Sequence, residues 1–326
     1  MRTEGGARAE AQPSERSASE RVLGVELAGL RLANPTILAS GVLGTSASLL
    51  ARSASSGAGA VTTKTITPHP KRGNPNPVVV ELDVGLLNSM GLPNPGLESF
   101  LPEIRAYRSL NLRSPLIVSI WALNPEEASI MASKIQQAGA SAVELNVSCP
   151  NTPQGEMNVV KSEQLVRGLI KAIRHSVSVP IFVKLPPLHW GLTKLAGAAV
   201  DAGADVLVAT NTLRGMALDV RARRPILSGI TGGLSGRALK PVALRAVYEL
   251  YGEFGDEIQV GGVGGVQDWR DAVEYLLAGA SAVEIGTALL YRGLSVFRRV
   301  ASGIEGYLRE EGFHSVEEIV GAAHRR

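Results

Sequence analysis

A lone thiol is the first residue with chemistry to offer. Cys149 is the single cysteine of the 326-residue chain and sits in the run LNVSCPN (145–151). A thiol in such a place can be a base, a nucleophile or an inert small apolar group. Pro150 follows it, which biases Cys149 towards extended backbone and projects the side chain instead of folding it into a helix. None of the five histidines (His69, His175, His189, His314 and His324) follows a recognisable strand end. A Cys–His nucleophile pair therefore lacks its second member, and the thiol is better suited to act as a base. The same histidine spacing offers no metal site. The stretch NTPQGEMNVV (151–160) has the Pro and Gly content of a mobile loop.

Other polar residues stand where apolar runs end. Lys64 and Lys184 close such runs, and Asn88, Asn146 and Asn211 supply amides. Ser40-Gly41, Ser119 and Asn211-Thr212 occupy comparable places. Taken singly, an Asn after a strand is a turn residue and a Lys at its end is solvated. Taken together, a few polar groups converging on an apolar pocket make a small-molecule site. Gly264-Gly265 and Gly286-Thr287 have a phosphate reading, because bare backbone N–H groups can approach phosphate oxygens there. The competing reading of VGGVGG (260–265) is a tight strand-to-helix turn.

An internal echo supplies the elements that position these residues. GAGAVTTKT (57–65), AGASAVELNV (138–147), AGADVLVATN (202–211) and AGASAVEIGT (278–287) share an Ala-Gly-Ala hinge, a β-branched run and polar residues. Helical patterns precede three of them, at Pro125–Ala138, Leu192–Ala202 and Trp269–Ala278. Asn124-Pro125 followed by two glutamates starts the first of these, since the cap accepts orphan N–H groups and the acids face the dipole. Further strands are expected at Thr36–Ser40, Leu116–Ile120, Ile181–Leu185 and Ile258–Gly262. Eight strands alternating with helices predict a (β/α)₈ barrel, an α/β TIM-barrel fold, with the polar strand ends forming the site. A doubly wound open sheet is the alternative, but no Gly-x-Gly-x-x-Gly follows the first strand. Residues 1–20 are polar and charge-balanced and are expected to be a disordered tail, leaving 21–326 as the barrel domain.

Composition bounds the partners. Hydrophobic residues at 45% and charged residues at 19% suit a globular enzyme. A net charge of +3 without a dense basic run argues against a nucleic-acid partner. One cysteine excludes an internal disulfide and any cysteine-ligated iron–sulfur cluster built from this chain alone. No apolar run reaches bilayer-spanning length and no signal-peptide core is present, so the expectation is a cytoplasmic protein with no membrane partner.

ASG (39–41), TTKT (62–65), GNPNP (73–77), LLNSMGLPNPG (86–96), ELNVSCPN (144–151), VKLPP (183–187), NTLRGM (211–216), TGGLSG (231–236), GGVGG (261–265) and VEIGTA (283–288) fall in the order found in dihydroorotate dehydrogenases. The resemblance runs from about residue 21 to about residue 291, and it is to the soluble class 1 enzymes, whose base is Cys. It implies an FMN-holding barrel that oxidises (S)-dihydroorotate to orotate in pyrimidine (UMP) synthesis. Cys149 would remove the C5 proton while the C6 hydride passes to flavin N5. Lys64, Asn88, Asn146, Asn211, Thr212 and the backbone from Ser89 through Met90 and Gly91 to Leu92 would hold substrate. Ser40, Lys64, Thr65, Ser119, Asn146, Lys184, Thr210, Gly236, Gly264, Gly265, Gly286 and Thr287 would line FMN. Lys184 would add catalytic charge near the flavin pyrimidine edge. The chain departs from the family at Ser119, where many members have Asn, and at Arg237, where Pro is usual. NTLRGMALDVRARRPIL (211–227) and KPVALR (240–245) resemble the NAD-linked heteromeric class 1B branch. That branch implies a partner subunit carrying FAD and a 2Fe–2S cluster, and a homodimer of the catalytic chain; a fumarate-using homodimer is the other soluble form. Two related flavin enzymes fit less well. A dihydropyrimidine dehydrogenase subunit has His where Asn151 stands and extra cysteines. A tRNA dihydrouridine synthase needs a helical RNA-binding domain, for which the chain after Thr287 is too short.

Overall fold

Parallel strands buried on both faces read as unbroken apolar runs, and eight such runs close on one another here. The computed structural model describes residues 18–147, 163–188 and 190–325. Cys149, the 151–160 segment and His189 lie outside the described residues. The strands are β1 (Thr36–Leu38), β2 (Ala60–Thr62), β3 (Leu116–Ile120), β4 (Ala142–Asn146), β5 (Ile181–Leu185), β6 (Val206–Ala209), β7 (Gln259–Val263) and β8 (Ala280–Ile285). Each pairs in parallel with the next, and β8 pairs with β1. The sheet is a closed barrel, which overturns the open-sheet alternative.

Eight helices follow the strands on the outside: α1 (Ala47–Ser55), α2 (Leu97–Ser109), α3 (Pro125–Ala138), α4 (Glu163–Ser176), α5 (Leu192–Asp201), α6 (Lys240–Phe254), α7 (Trp269–Leu277) and α8 (Val296–Glu310). The first glycine of each hinge does one physical job. Gly57, Gly139, Gly203 and Gly279 all adopt positive φ, between 98° and 113°, the left-handed turn that ends a helix and feeds the next strand. Asn124 caps α3 by accepting from Glu127 N at 2.9 Å.

Five boundaries differ from expectation, two of them helix ends that come one residue early, at Asp201 and Leu277. β1 ends at Leu38, so Ser40 already belongs to the barrel mouth. β7 begins one residue late, because Ile258 N bonds Phe254 O at 2.9 Å and so still belongs to the turn after α6. The expected tail boundary at residue 20 falls inside a helix, Ala18–Leu23. That helix is tied down by Ser19 Oγ donating to Glu305 at 3.0 Å and by Arg113 pairing with Glu20 at 2.9 Å.

A second sheet roofs the barrel mouth. It is antiparallel, in the order Leu213–Gly215, Gly232–Ser235, Gly85–Asn88, Val79–Leu82. Its strands come from the loops after β2 and β6, and Asn88 pairs with Gly233.

Candidate active site

A cavity of about 440 Å³ opens at the carboxyl ends of the strands, beneath this roof. The strand ends bring Ser40, Lys64, Thr65, Asn146 and Lys184 to it, and Thr210, Asn211 and Thr212 follow β6. Roof and adjoining loop add Asn88, Met90, Leu92 and Gly236, and the loops after β7 and β8 add Gly264, Gly265, Gly286 and Thr287.

Three sequence candidates are not on its wall. Ser89 is turned away, its Cβ beside Gly229 and its carbonyl accepting from Asn74 Nδ2 at 2.7 Å. Gly91 packs its α-carbon against Asn74. Ser119 is fully buried and reaches the site through Thr65, with 3.0 Å between the two hydroxyl oxygens. A Ser is too short to pass Thr65, which gives the departure from the family's Asn a structural counterpart. Arg237 opens a 3-10 turn after Gly236, and nothing in the structure explains its replacement of Pro.

One wall is a hydrogen-bonded chain crossing several strands. Ser40 and Thr65 hydroxyls lie 3.2 Å apart, Asn146 Nδ2 donates to Thr65 at 3.2 Å, and Asn211 Nδ2 donates to Asn146 Oδ1 at 3.2 Å. Asn211 Oδ1 in turn accepts from Thr212 N at 2.7 Å. Such linkage fixes each amide's orientation, and with it the pattern of donors and acceptors offered to a ligand.

The other wall is glycine. A Cβ on Gly264 would come 2.8 Å from Ala243 Cβ, and one on Gly265 would come 2.8 Å from Gly236 O. Both residues also hold positive φ, 139° and 74°. Tyr275 OH pins the loop by donating to Gly264 O at 2.6 Å. Thr287 Oγ1 donates to Ser235 Oγ at 2.9 Å, joining the β8 loop to the roof.

The floor is charged. Lys184 Nζ lies 2.6 Å from Glu284 Oε2 and 3.9 Å from Glu144 Oε2, all three side chains being buried. Burial pushes the Lys184 ammonium down, but the two glutamates outweigh it and leave Lys184 raised. Burial and then Glu144 push the Glu284 carboxyl up, against the pull of Lys184, to about 7. The sequence candidates include neither glutamate. The signal was in the echo: Glu144 and Glu284 occupy the same position of AGASAVE (138–144 and 278–284), as charged residues inside apolar strands. Among the described residues no cluster of His, Cys, Asp and Glu is arranged to hold a metal, and no helix is long and apolar enough to cross a membrane.

A donor chain on one wall and a close backbone cradle on the other suit a small polar substrate beside a phosphate-bearing cofactor. The dihydroorotate dehydrogenase family model matches residues 22–308. The chain belongs to this family. Its members oxidise dihydroorotate in pyrimidine biosynthesis, and the chain is such an oxidoreductase. It is 47% identical over 301 residues to the catalytic subunit of dihydroorotate dehydrogenase B (NAD(+)) of Pyrococcus furiosus, covering 92% of this chain and 98% of that one. The corresponding proteins of Thermococcus kodakarensis and Methanosarcina mazei are 48% and 45% identical, covering 92% and 91% of this chain and 98% and 94% of theirs. Among solved structures, dihydroorotate dehydrogenase of Eimeria tenella in complex with ferulenol superposes with a TM-score of 0.82 at 27% identity, covering 96% of this chain and 91% of that one. Its ligand-free form gives 0.83 at 26%, covering 98% and 95%.

Proposed function

We propose that the cavity binds FMN along its glycine wall and dihydroorotate along its amide wall, and that Cys149 is the base. The observation that carries this reading is the division of one cavity into two unlike walls. Two details fit a bound cofactor. The Thr210 hydroxyl is buried on the cavity wall with no partner among the described residues, and Gly264 and Gly265 leave room only for backbone at the cradle.

In this reading Gly236, Gly264, Gly265, Gly286 and Thr287 hold the phosphate with backbone N–H groups and one hydroxyl. Ser40, Thr65 and Thr210 meet the ring system, and Ser119 acts through Thr65. Lys64, Asn88, Asn146, Asn211 and Thr212 orient the substrate, with Met90 and Leu92 of the 89–92 stretch closing over it. Bound FMN supplies the acceptor for the hydride that leaves C6. Cys149 takes the proton from C5; a thiol with an ordinary pKa near 8.5 needs only modest tuning for this at neutral pH. Lys184 keeps a positive charge on the floor, where it stabilises negative charge developing above it.

The curated relatives are named as catalytic subunits of an NAD(+)-linked enzyme. This supports an electron path through a partner subunit carrying FAD and a 2Fe–2S cluster to NAD, with the catalytic chain a homodimer. An exposed apolar rim would receive that partner: Val79 and Leu290 on the cavity edge, with Val84 and Tyr291 beside them. The test is anaerobic reduction by dihydroorotate, then reoxidation with NAD, fumarate or a quinone analogue in turn. Bleaching by dihydroorotate, with NAD reoxidation only when the partner is added, is the expected result. Bleaching by dihydrouracil instead, or salt-sensitive tRNA binding, would point to the related flavin enzymes.

A further inference from the structure

Three titratable side chains lie on the eight barrel strands: Glu144 on β4, Lys184 on β5 and Glu284 on β8. The other five strands read TIL, AVT, LIVSI, VLVA and QVGGV, with no titratable residue among them. β5 and β8 are not neighbours in the sheet, so the 2.6 Å contact between Lys184 and Glu284 crosses the barrel interior. Glu144 completes the cluster at 3.9 Å from the same ammonium.

The charges do not balance. Among the described residues, two carboxylates and one ammonium leave an excess negative charge where exposure is 0% for Glu144, 3% for Glu284 and 5% for Lys184. A buried charge without a counter-charge is expensive, and a titratable group there takes up a proton instead. Hydrogen bonding gives the same answer. While both carboxyls are ionised, neither Glu144 oxygen has a donor among the described residues, yet the Glu284 carboxyl lies within hydrogen-bonding reach of it. One proton between them turns a repulsion into a bond.

We propose that Glu144 and Glu284 share a single proton, and that this pair is the positioning element that holds the Lys184 ammonium charged on the cavity floor. Lys184 and Glu144 are the charged groups that act on Glu284; burial first, then Glu144, raise its carboxyl to about 7 against the pull of Lys184, so a proton is held there up to neutral pH. The catalytic consequence rests on the reading of Lys184 as facing the flavin. Negative charge arriving in the cavity tightens the hold on the shared proton. Loss of that proton would leave the floor negative.

Infrared spectroscopy of the FMN-loaded enzyme reads the proton directly, as a carboxylic-acid C=O band. The band should be present one unit below pH 7, fade as pH rises through about 7, and be missing in both Glu144→Gln and Glu284→Gln. Each of those variants leaves one carboxylate facing one ammonium. Lys184→Met, which removes the cluster's cation, should keep the band to higher pH; this arm and the wild-type titration stand even where a Gln variant fails to fold. No band in the wild type below pH 7, or its survival in both Gln variants, overturns the shared proton. Photoreduction of the bound flavin one unit above pH 7 should restore the band. A band that obeys pH and both substitutions but ignores the flavin's redox state overturns the placement of Lys184 under the flavin, while the pair itself stands.

Discussion

Cys149 has the least replaceable role in the proposed chemistry, because no histidine accompanies it in the motif. Cys149→Ala should retain bound FMN yet lose flavin reduction by dihydroorotate near neutral pH, as followed by anaerobic bleaching. Undiminished bleaching would remove the thiol from the mechanism. Glu284 makes a prediction about stability. Its folded-state pKa, about 7, exceeds the ordinary 4.5. Between those values the folded protein holds a proton that the unfolded chain releases, so this group's contribution is complete below about 4.5 and is lost as pH rises to about 7. The size is on the order of a few kcal/mol. Urea unfolding of wild type and Glu284→Gln across this range should differ in slope, with the wild type declining more steeply towards neutral pH. Parallel slopes would mean that Glu284 is ionised throughout.

Among the elements that meet the cavity, the loop after β7 leaves no room for side chains at Gly264 and Gly265. Gly265→Ala adds a Cβ 2.8 Å from Gly236 O and 2.8 Å from Lys240 Cβ, at a φ of 74°. FMN affinity should fall roughly ten-fold or more, measured by flavin fluorescence on release, and the strained turn should also lower the melting temperature of the FMN-free protein. A large loss of stability without loss of affinity would make the glycine structural. Much of the scaffold around this loop could be read from the chain. Leu116–Ile120 and Ile181–Leu185 are buried throughout, and a buried parallel strand needs nothing but an apolar run between a helix and a polar end. The four hinge glycines share one conformation because each ends a helix, so the sequence repeats where the geometry repeats. The roof sheet was not legible. Val79–Leu82 and Gly85–Asn88 are four residues each, and their apolar residues do not alternate with polar ones along the chain; Gly232–Ser235 begins with two glycines. The charged floor was half legible. The echo marks Glu144 and Glu284 as equivalent, but pairing them with Lys184 requires knowing that β5 and β8 face each other across a closed barrel. Ser119 shows the remaining limit: a strand-end residue was expected to touch the cofactor, and the length of its side chain decides that it reaches only Thr65.

At the scale of the whole molecule, the proposed docking of the partner on the exposed apolar rim predicts that substrate oxidation and electron export can be separated. Val84 is half exposed and is not on the cavity wall. Val84→Asp should therefore leave reduction by dihydroorotate unchanged, while NAD-linked turnover with the partner subunit falls several-fold. An equal fall with an artificial acceptor would show damage to the site itself. The roof has a further consequence. Asn88 pairs with Gly233, so the ceiling of the cavity joins stretches separated by four of the eight barrel strands, and closing so long a loop is worthwhile only once the intervening contacts exist. A nascent chain that has not yet reached Gly232 has only the Val79–Leu82 and Gly85–Asn88 hairpin of its ceiling, not yet joined to the strands after β6. The binding site is thus assembled near the end of synthesis, and a fragment ending before that point can carry most of the barrel strands without the means to enclose a ligand.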